Sequence, residues 1–203
     1  MNKHLLIFIV FIHCSISFGQ TQKDLNTDEM LRGYIYAKSG IEDSTAAGGF
    51  GVTRNTSKKI NDSLNFSECG FFMKIDTCIT TVFAEHVNGY RLFIANKSDT
   101  VVALVASDGR LNVIAEVYYQ NKWQPIEYLL RSWCGNSYHK VYLKQDEYWV
   151  CIIPNYDGKL KVKLRYKLIL NKGKYIYSNA IQTQINSGQL SKPKGYKSQW
   201  FIE

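Results

Sequence analysis

Proline and histidine are scarce in this chain, which limits the kinds of linker and the kinds of imidazole chemistry that it can contain. Three prolines among 203 residues are too few for a Pro-rich linker. Two of the four histidines fall within the first 13 residues, which leaves His86 and His139 in the rest of the chain. Imidazole chemistry, either acid–base or metal-binding, would therefore depend on these two side chains.

Several functional motifs are also missing from the sequence. It contains no Gly-rich phosphate-binding loop, no calcium-binding loop and no G-x-S-x-G frame around a nucleophilic serine. No internal repeat is visible, which argues against a propeller or a solenoid. After the first 20 residues no apolar stretch is long enough to form a transmembrane helix. We therefore predict no cofactor and no transmembrane segment.

The composition is that of a folded, basic, β-rich protein. A hydrophobic content of 45% and a charged content of 21% are ordinary for globular proteins, and 203 residues are enough to bury a core. Fourteen tyrosines and four tryptophans favour strands. A net charge of +8 would attract anionic partners, although a basic surface also serves solubility alone.

Residues 1–20 predict a signal peptide. A short basic start precedes the apolar run of residues 5–12, which is too short to span a membrane. Small residues follow, and they predict cleavage near Gly19 or Gln20. The mature protein would then reach the periplasm, the cell surface or the medium. Cys14 leaves open a lipid anchor, because a lipidated cysteine also follows a short apolar run.

Residues 21–68 predict a polar extension that continues into a long loop. Residues 39–65 are rich in Gly, Ser, Thr and Asn, with the pair Gly48-Gly49 near the centre. Such a segment is either a simple connector or a mobile binding loop.

Residues 69–189 predict a single all-β domain. Short strands with turn signals about every eight to twelve residues are typical of an immunoglobulin- or fibronectin-like antiparallel β-sandwich. The pairs Asn88-Gly89 and Asp108-Gly109 predict tight two-residue turns. Either Trp123 or Trp149 would be the large residue at the centre of the core. Residues 190–203 form a basic tail, which is either a final edge strand or a loose end.

The clearest single element is a strand over residues 160–168. Cations alternate there with apolar residues, so one face of the strand is cationic and the other is apolar. The candidate ligand-binding residues on the cationic face are Lys161, Lys163, Arg165 and Lys167. Neighbours on this face would stand about 7 Å apart and could bind a polyanion. Alternatively, the face is only solvated and keeps the sheet from aggregating.

Four cysteines follow the leader, namely Cys69, Cys78, Cys134 and Cys151. An even number of cysteines in an exported protein predicts disulfides, and three connectivities are possible. We favour pairs between neighbours in sequence, the first cysteine with the second and the third with the fourth. A zinc site is disfavoured because the spacing lacks a C-x-x-C knuckle, so we predict no metal.

Cys134 and His139 raise the question of catalysis, because a thiol beside a base is the core of a cysteine hydrolase. A cysteine in a disulfide has no thiolate, and the surrounding residues match no hydrolase motif. Ser137 also lacks a nucleophile frame. We therefore predict no catalytic residue and interpret this segment as a disulfide-held loop.

The leader, with its ending Phe18-Gly19-Gln20, and the strand pattern of residues 90–185 resemble exported β-sandwich proteins of Bacteroidota. That group has no agreed activity, so the resemblance implies export and fold but no chemistry. We expect a non-enzymatic binding or structural module of the cell envelope. Its partner would be an anionic glycan or another envelope component, and we expect no nucleic acid. The alternative is a hydrolase that acts on a cell-surface polymer.

Overall fold

The computed structural model of the protein describes residues 22–61, 64, 66–130, 132, 134–171 and 173–192. The predicted signal peptide with Cys14 and most of the predicted basic tail lie outside these residues. The described part of the chain contains sixteen strands and two 3₁₀ turns. The strands are β1 (Leu25–Asn26), β2 (Leu31–Arg32), β3 (Lys58–Lys59), β4 (Gly70–Ala84), β5 (Val87–Lys97), β6 (Val102–Ser107), β7 (Arg110–Leu111), β8 (Val113–Tyr119), β9 (Lys122–Pro125), β10 (Glu127–Tyr128), β11 (Tyr138–Leu143), β12 (Glu147–Pro154), β13 (Tyr156–Asp157), β14 (Leu160–Asn171), β15 (Lys174–Tyr177) and β16 (Ile181–Ile185). The turns are η1 (Gly135–Ser137) and η2 (Ser187–Leu190).

The strands pair into three open sheets and two short parallel pairs. One sheet has the order β3-β12-β5-β4, and a second has the order β11-β6-β7. In the third sheet β15 and β16 pair with different parts of β14, which is followed by β8 and β9. The parallel pairs are β1 with β13 and β2 with β10. The prediction of an all-β structure is confirmed, and no helix of the described residues is long and apolar enough to cross a membrane.

One hydrophobic cluster joins the inward faces of the two larger sheets. Strand alternation directs Leu92 and Ile94 of β5 into it from one side, and Leu164 and Leu168 of β14 from the other. Trp149 of β12 is fully buried in the same cluster, and its indole Nε1 donates to the Lys38 carbonyl oxygen at 2.9 Å. Of the two candidates for the central core residue, Trp149 is therefore the one.

The N-terminal segment contributes directly to this core. Ile35 and Ala37 are each 1% exposed and belong to the main cluster. Their backbone is held against the turn after β6, because Leu111 N donates to Ile35 O at 2.9 Å and Ala37 N donates to Gly109 O at 2.8 Å. The residues that look like a polar extension in the sequence therefore cover one edge of the sheets.

The two predicted glycine turns have different outcomes. Asp108 and Gly109 have φ values of 51° and 77° and form the predicted tight turn between β6 and β7. The prediction for Asn88-Gly89 is wrong, since both residues lie within β5 and the chain reverses three residues earlier, at Glu85 and His86, where Glu85 has a φ of 41°. Gly89 is required for packing instead, because a Cβ there would lie 2.6 Å from the Ile153 carbonyl oxygen.

The predicted disulfides are also wrong, because all four described cysteines are free. Cys69 directly precedes β4 and Cys78 lies within it, so the extended backbone separates them by roughly 25–30 Å. Cys134 is exposed at the start of η1, whereas Cys151 is buried in β12. Asn55 Nδ2 donates to the Cys151 sulfur at 3.4 Å, and burial raises the pKa of this thiol to about 12.

Candidate binding face

The outward face of the five-stranded sheet carries the main cluster of cationic and aromatic side chains. Register places these residues side by side, with Lys163 opposite Tyr118, Tyr118 opposite Trp123, and Lys167 opposite Tyr177. Residues that are opposite each other in neighbouring strands point to the same side of a sheet. We define the aromatic–cationic face as Glu116, Tyr118, Trp123, Lys161, Lys163, Arg165, Lys167, Tyr175, Tyr177, Gln182 and Gln184.

Arg165 lies at the centre of this face between two aromatic rings. Its guanidinium carbon is 4.0 Å from the ring centroid of Trp123 and 3.7 Å from that of Tyr177. The Nε and Nη2 atoms of Arg165 also donate to Glu116 Oε2, at 3.1 and 2.9 Å. Stacking and hydrogen bonding together fix the guanidinium and both rings, so the centre of the face is rigid.

Lys167 extends this arrangement toward β15. Its Nζ atom is 4.1 Å from the ring centroid of Tyr175 and 3.4 Å from Glu116 Oε1. The Glu116 side chain is only 7% exposed and has two cationic partners, Arg165 and Lys167. A largely buried carboxylate needs such partners, because an unpaired charge away from water is costly. Two of the four predicted binding cations are therefore committed to contacts within the protein.

Lys161 and Lys163 differ from the other two cations. Both are exposed, and neither forms an ion pair with another described residue. They lie opposite Gln184 and Gln182 of β16. Tyr118 is also 42% exposed. The structure thus brings all four predicted cations onto one face, but it leaves only two of them available to a ligand.

A pocket adjoins the face at the edge of β9. Its volume is about 270 Å³, and Trp123 belongs to its wall together with Met30, Lys122, Gln124, Pro125, Leu190 and Lys192. The pocket extends the accessible surface beside Trp123 and adds two cations at its rim. Nothing in the sequence indicates that residues near 30, 123 and 190 come together.

The pair Cys134 and His139 does not form a hydrolase site in the described residues. His139 is 8% exposed, and its ring stacks on Phe50 with the centroids 3.8 Å apart. It borders a pocket of about 310 Å³, whose described lining includes Asp43 but not Cys134. Hydrogen bonds from the Thr45 side chain and the Lys140 backbone lower the pKa of Asp43 to about 2, so this carboxyl is not a proton donor near neutral pH.

One polar cluster has no counterpart in the sequence predictions. Glu127 is fully buried, and its Oε1 atom accepts hydrogen bonds from Tyr34 Oη at 2.9 Å and Tyr156 Oη at 3.1 Å. Tyr166 Oη lies 3.5 Å from the same oxygen, and Ala115 N donates to Oε2 at 3.0 Å. Desolvation outweighs these hydrogen bonds and raises the pKa of Glu127 to about 7. No described cation pairs with this carboxyl.

No group of three or more His, Cys, Asp or Glu side chains in the described residues could hold a metal ion. No protein-family model matches the chain, and no match was found among curated proteins or solved structures.

Proposed function

We propose that the protein is an exported, non-enzymatic binding module of the cell envelope whose aromatic–cationic face binds an anionic glycan. The observation that carries this proposal is the division of the face into a fixed and a free part. Arg165 is held between Trp123 and Tyr177, while Lys161 and Lys163 are exposed and outside any ion pair in the described residues. A rigid aromatic surface beside free ammonium groups suits a ligand that has both apolar patches and negative charge.

The polar groups of the face define the chemistry of this ligand further. Four cations and one carboxylate leave a net charge of +3 on the face. Lysine ammonium groups are hydrogen-bond donors only, and the amides of Gln182 and Gln184 add donors as well as acceptors. An acceptor-rich partner such as a carboxylated or sulfated sugar chain would satisfy these donors. The C–H surfaces of its sugar rings would contact the exposed ring of Tyr118 and the side of Trp123 that lines the pocket at β9.

Single-stranded nucleic acid fits the face less well. Its bases bind by stacking on open aromatic faces. Here the Arg165 guanidinium covers one face of Trp123 and one face of Tyr177. Tyr118 packs against Trp123 with the centroids 5.4 Å apart, which restricts the indole further.

A hydrolase acting on a surface polymer is the weaker alternative. It would need a nucleophile within hydrogen-bonding reach of a base. His139 is the only buried histidine among the described residues, and its ring is stacked on Phe50 in a pocket that Cys134 does not line. No observation on the described residues therefore favours a hydrolase.

The proposed architecture is an immunoglobulin- or fibronectin-like sandwich of the four-stranded and five-stranded sheets. It is supported by the single hydrophobic cluster to which both sheets contribute. In such a sandwich the aromatic–cationic face would be an outer surface, open to a long polymer.

The test is retention on immobilised heparin, followed by a screen of carboxylated and sulfated glycans. We expect the double variant Lys161→Gln/Lys163→Gln to elute at lower salt than the wild type, because fewer counterions are released on binding. Both changes are on the surface, so the free energy of unfolding should change by no more than about 0.5 kcal/mol each.

The matched control is Lys58→Gln/Lys144→Gln, which removes the same charge at two exposed lysines outside the face. If both double variants elute together, retention reflects net charge alone and the proposed face is not a binding site. Replacing Trp123 with alanine should weaken glycan binding even at high salt, because it removes apolar contact and the support of Arg165.

A further inference from the structure

A small polar pocket lies away from the aromatic–cationic face, beside the turn between β6 and β7. Its volume is about 160 Å³. The residues that line it are Arg32, Tyr36, Ser107, Asp108, Arg110, Leu130 and Ser132. None of them belongs to the aromatic–cationic face, so the pocket is a separate candidate site.

Arg110 is the unusual residue of this pocket. It is only 6% exposed, and its Nη2 atom donates to the Leu130 carbonyl oxygen at 2.5 Å. No described carboxylate forms an ion pair with it, although a guanidinium carries five N–H donors. Burying a charge without a counter-charge is costly, so this arrangement favours an anion in the pocket.

The other lining residues reinforce this preference. Arg32 brings a second, exposed guanidinium, and Tyr36 and Ser107 bring hydroxyl groups. Asp108 is the only acidic residue among the described lining. Its Oδ1 atom accepts the Gly51 backbone N–H at 2.8 Å, and it forms no ion pair with either arginine in the described structure.

We propose that this pocket binds a phosphate or sulfate group through Arg110 and Arg32. A guanidinium donates two parallel hydrogen bonds to such an oxyanion, which Lys cannot do. A tetrahedral group also presents oxygens in several directions, so that a buried and an exposed arginine can contact it together. The group is either a free ion or part of a phosphorylated or sulfated sugar.

The test is calorimetric titration with inorganic phosphate, inorganic sulfate and glucose 6-phosphate at constant ionic strength. We expect Arg32→Gln to weaken binding roughly tenfold to a hundredfold, the usual effect of losing a charge-assisted hydrogen bond. Arg54→Gln, a change at an exposed arginine outside the pocket, should bind as the wild type does. Binding of glucose 6-phosphate that exceeds binding of the free ion would identify a sugar-borne group as the ligand.

Two further variants keep the test decisive. Arg110→Lys retains the positive charge but not the planar fork, and it should also weaken binding. Lys161→Gln/Lys163→Gln should leave phosphate binding unchanged, which separates this pocket from the aromatic–cationic face. The proposal is overturned if the wild type binds none of the three probes at millimolar concentration. Equal binding by wild type, Arg32→Gln and Arg110→Lys would likewise overturn it.

Discussion

The buried carboxyl of Glu127 should make the stability of this protein fall as the pH rises. Its Oε1 atom accepts hydrogen bonds from tyrosine hydroxyls, and burial raises the pKa values of Tyr34, Tyr156 and Tyr166, so these hydroxyls remain donors. Desolvation nevertheless raises the pKa of Glu127 itself from 4.5 to about 7. The folded protein therefore binds a proton that the unfolded chain has already released.

The size and direction of the effect follow from linkage. Between pH 4.5 and pH 7 the folded state holds more protons than the unfolded state, so the free energy of unfolding decreases as the pH rises. A pKa difference of this size corresponds to about 3 kcal/mol, which is fully present below pH 4.5 and lost by about pH 8. The lowered pKa of Asp43 has the opposite sign and acts only below about pH 4.

Urea unfolding of the wild type and Glu127→Gln between pH 4.5 and pH 8 measures this effect. The variant should lose most of the slope, because its amide does not titrate. At pH 5 the folded wild type holds Glu127 as the neutral acid, so the neutral amide should leave the two proteins close in stability, because its oxygen can still accept the Ala115 N–H. Glu42→Gln, a change at an exposed carboxyl, should keep the wild-type slope. Equal slopes for wild type and Glu127→Gln would refute the reasoning.

Three other predictions concern packing, thiols and export. Gly89→Ala should destabilise the fold by more than about 1 kcal/mol, because the added methyl group would lie 2.6 Å from the Ile153 carbonyl oxygen. The control Gly40→Ala has open space around the new methyl group, so its free energy of unfolding in urea should equal that of the wild type. Of the four cysteines after residue 20, Cys151 should react with a thiol reagent only after unfolding, whereas the three exposed cysteines should react in the native protein. Rapid labelling of Cys151 before unfolding would contradict its burial. Mass spectrometry should find a mature N-terminus near Gln20 or Thr21, and a full-length cytoplasmic protein as the main form would exclude export.

Local patterns predicted much of the sheet structure. The alternation in residues 160–168 predicts β14, because in a strand successive side chains point to opposite faces and one face is buried. The turn at Asp108-Gly109 was predictable because positive φ at two neighbouring residues is a local requirement. Asn88-Gly89 shows the same sequence pattern but forms no turn. Glycine is needed at position 89 because the backbone of β12 passes close to it. The close approach of β12 to this glycine involves residues more than sixty positions later, which a local pattern does not contain.

The buried polar clusters could not be predicted in the same way. Glu127 and its partner Tyr34 are 93 residues apart, and the Arg110 guanidinium donates to the carbonyl oxygen of Leu130, 20 residues later in the chain. The disulfide prediction failed for a related reason. The number of cysteines and the predicted export allow pairing, but a disulfide also requires the backbone to bring two cysteines together. Here β4 begins just after Cys69 and continues past Cys78 without a reversal, although its register against β5 shifts between Asp76 and Thr81.

The cations of β14 show how a neighbouring strand decides the role of residues that look equivalent in sequence. All four lie on the same face, yet Glu116 of β8 lies opposite Arg165 and reaches Lys167 as well. The carboxylate and the rings around it hold these two cations, so removing either one would leave Glu116 with a single partner and disturb the sheet. Lys161 and Lys163 lie beyond its reach. Substitutions at these two positions therefore test ligand binding, whereas the same substitutions at Arg165 or Lys167 would test stability first.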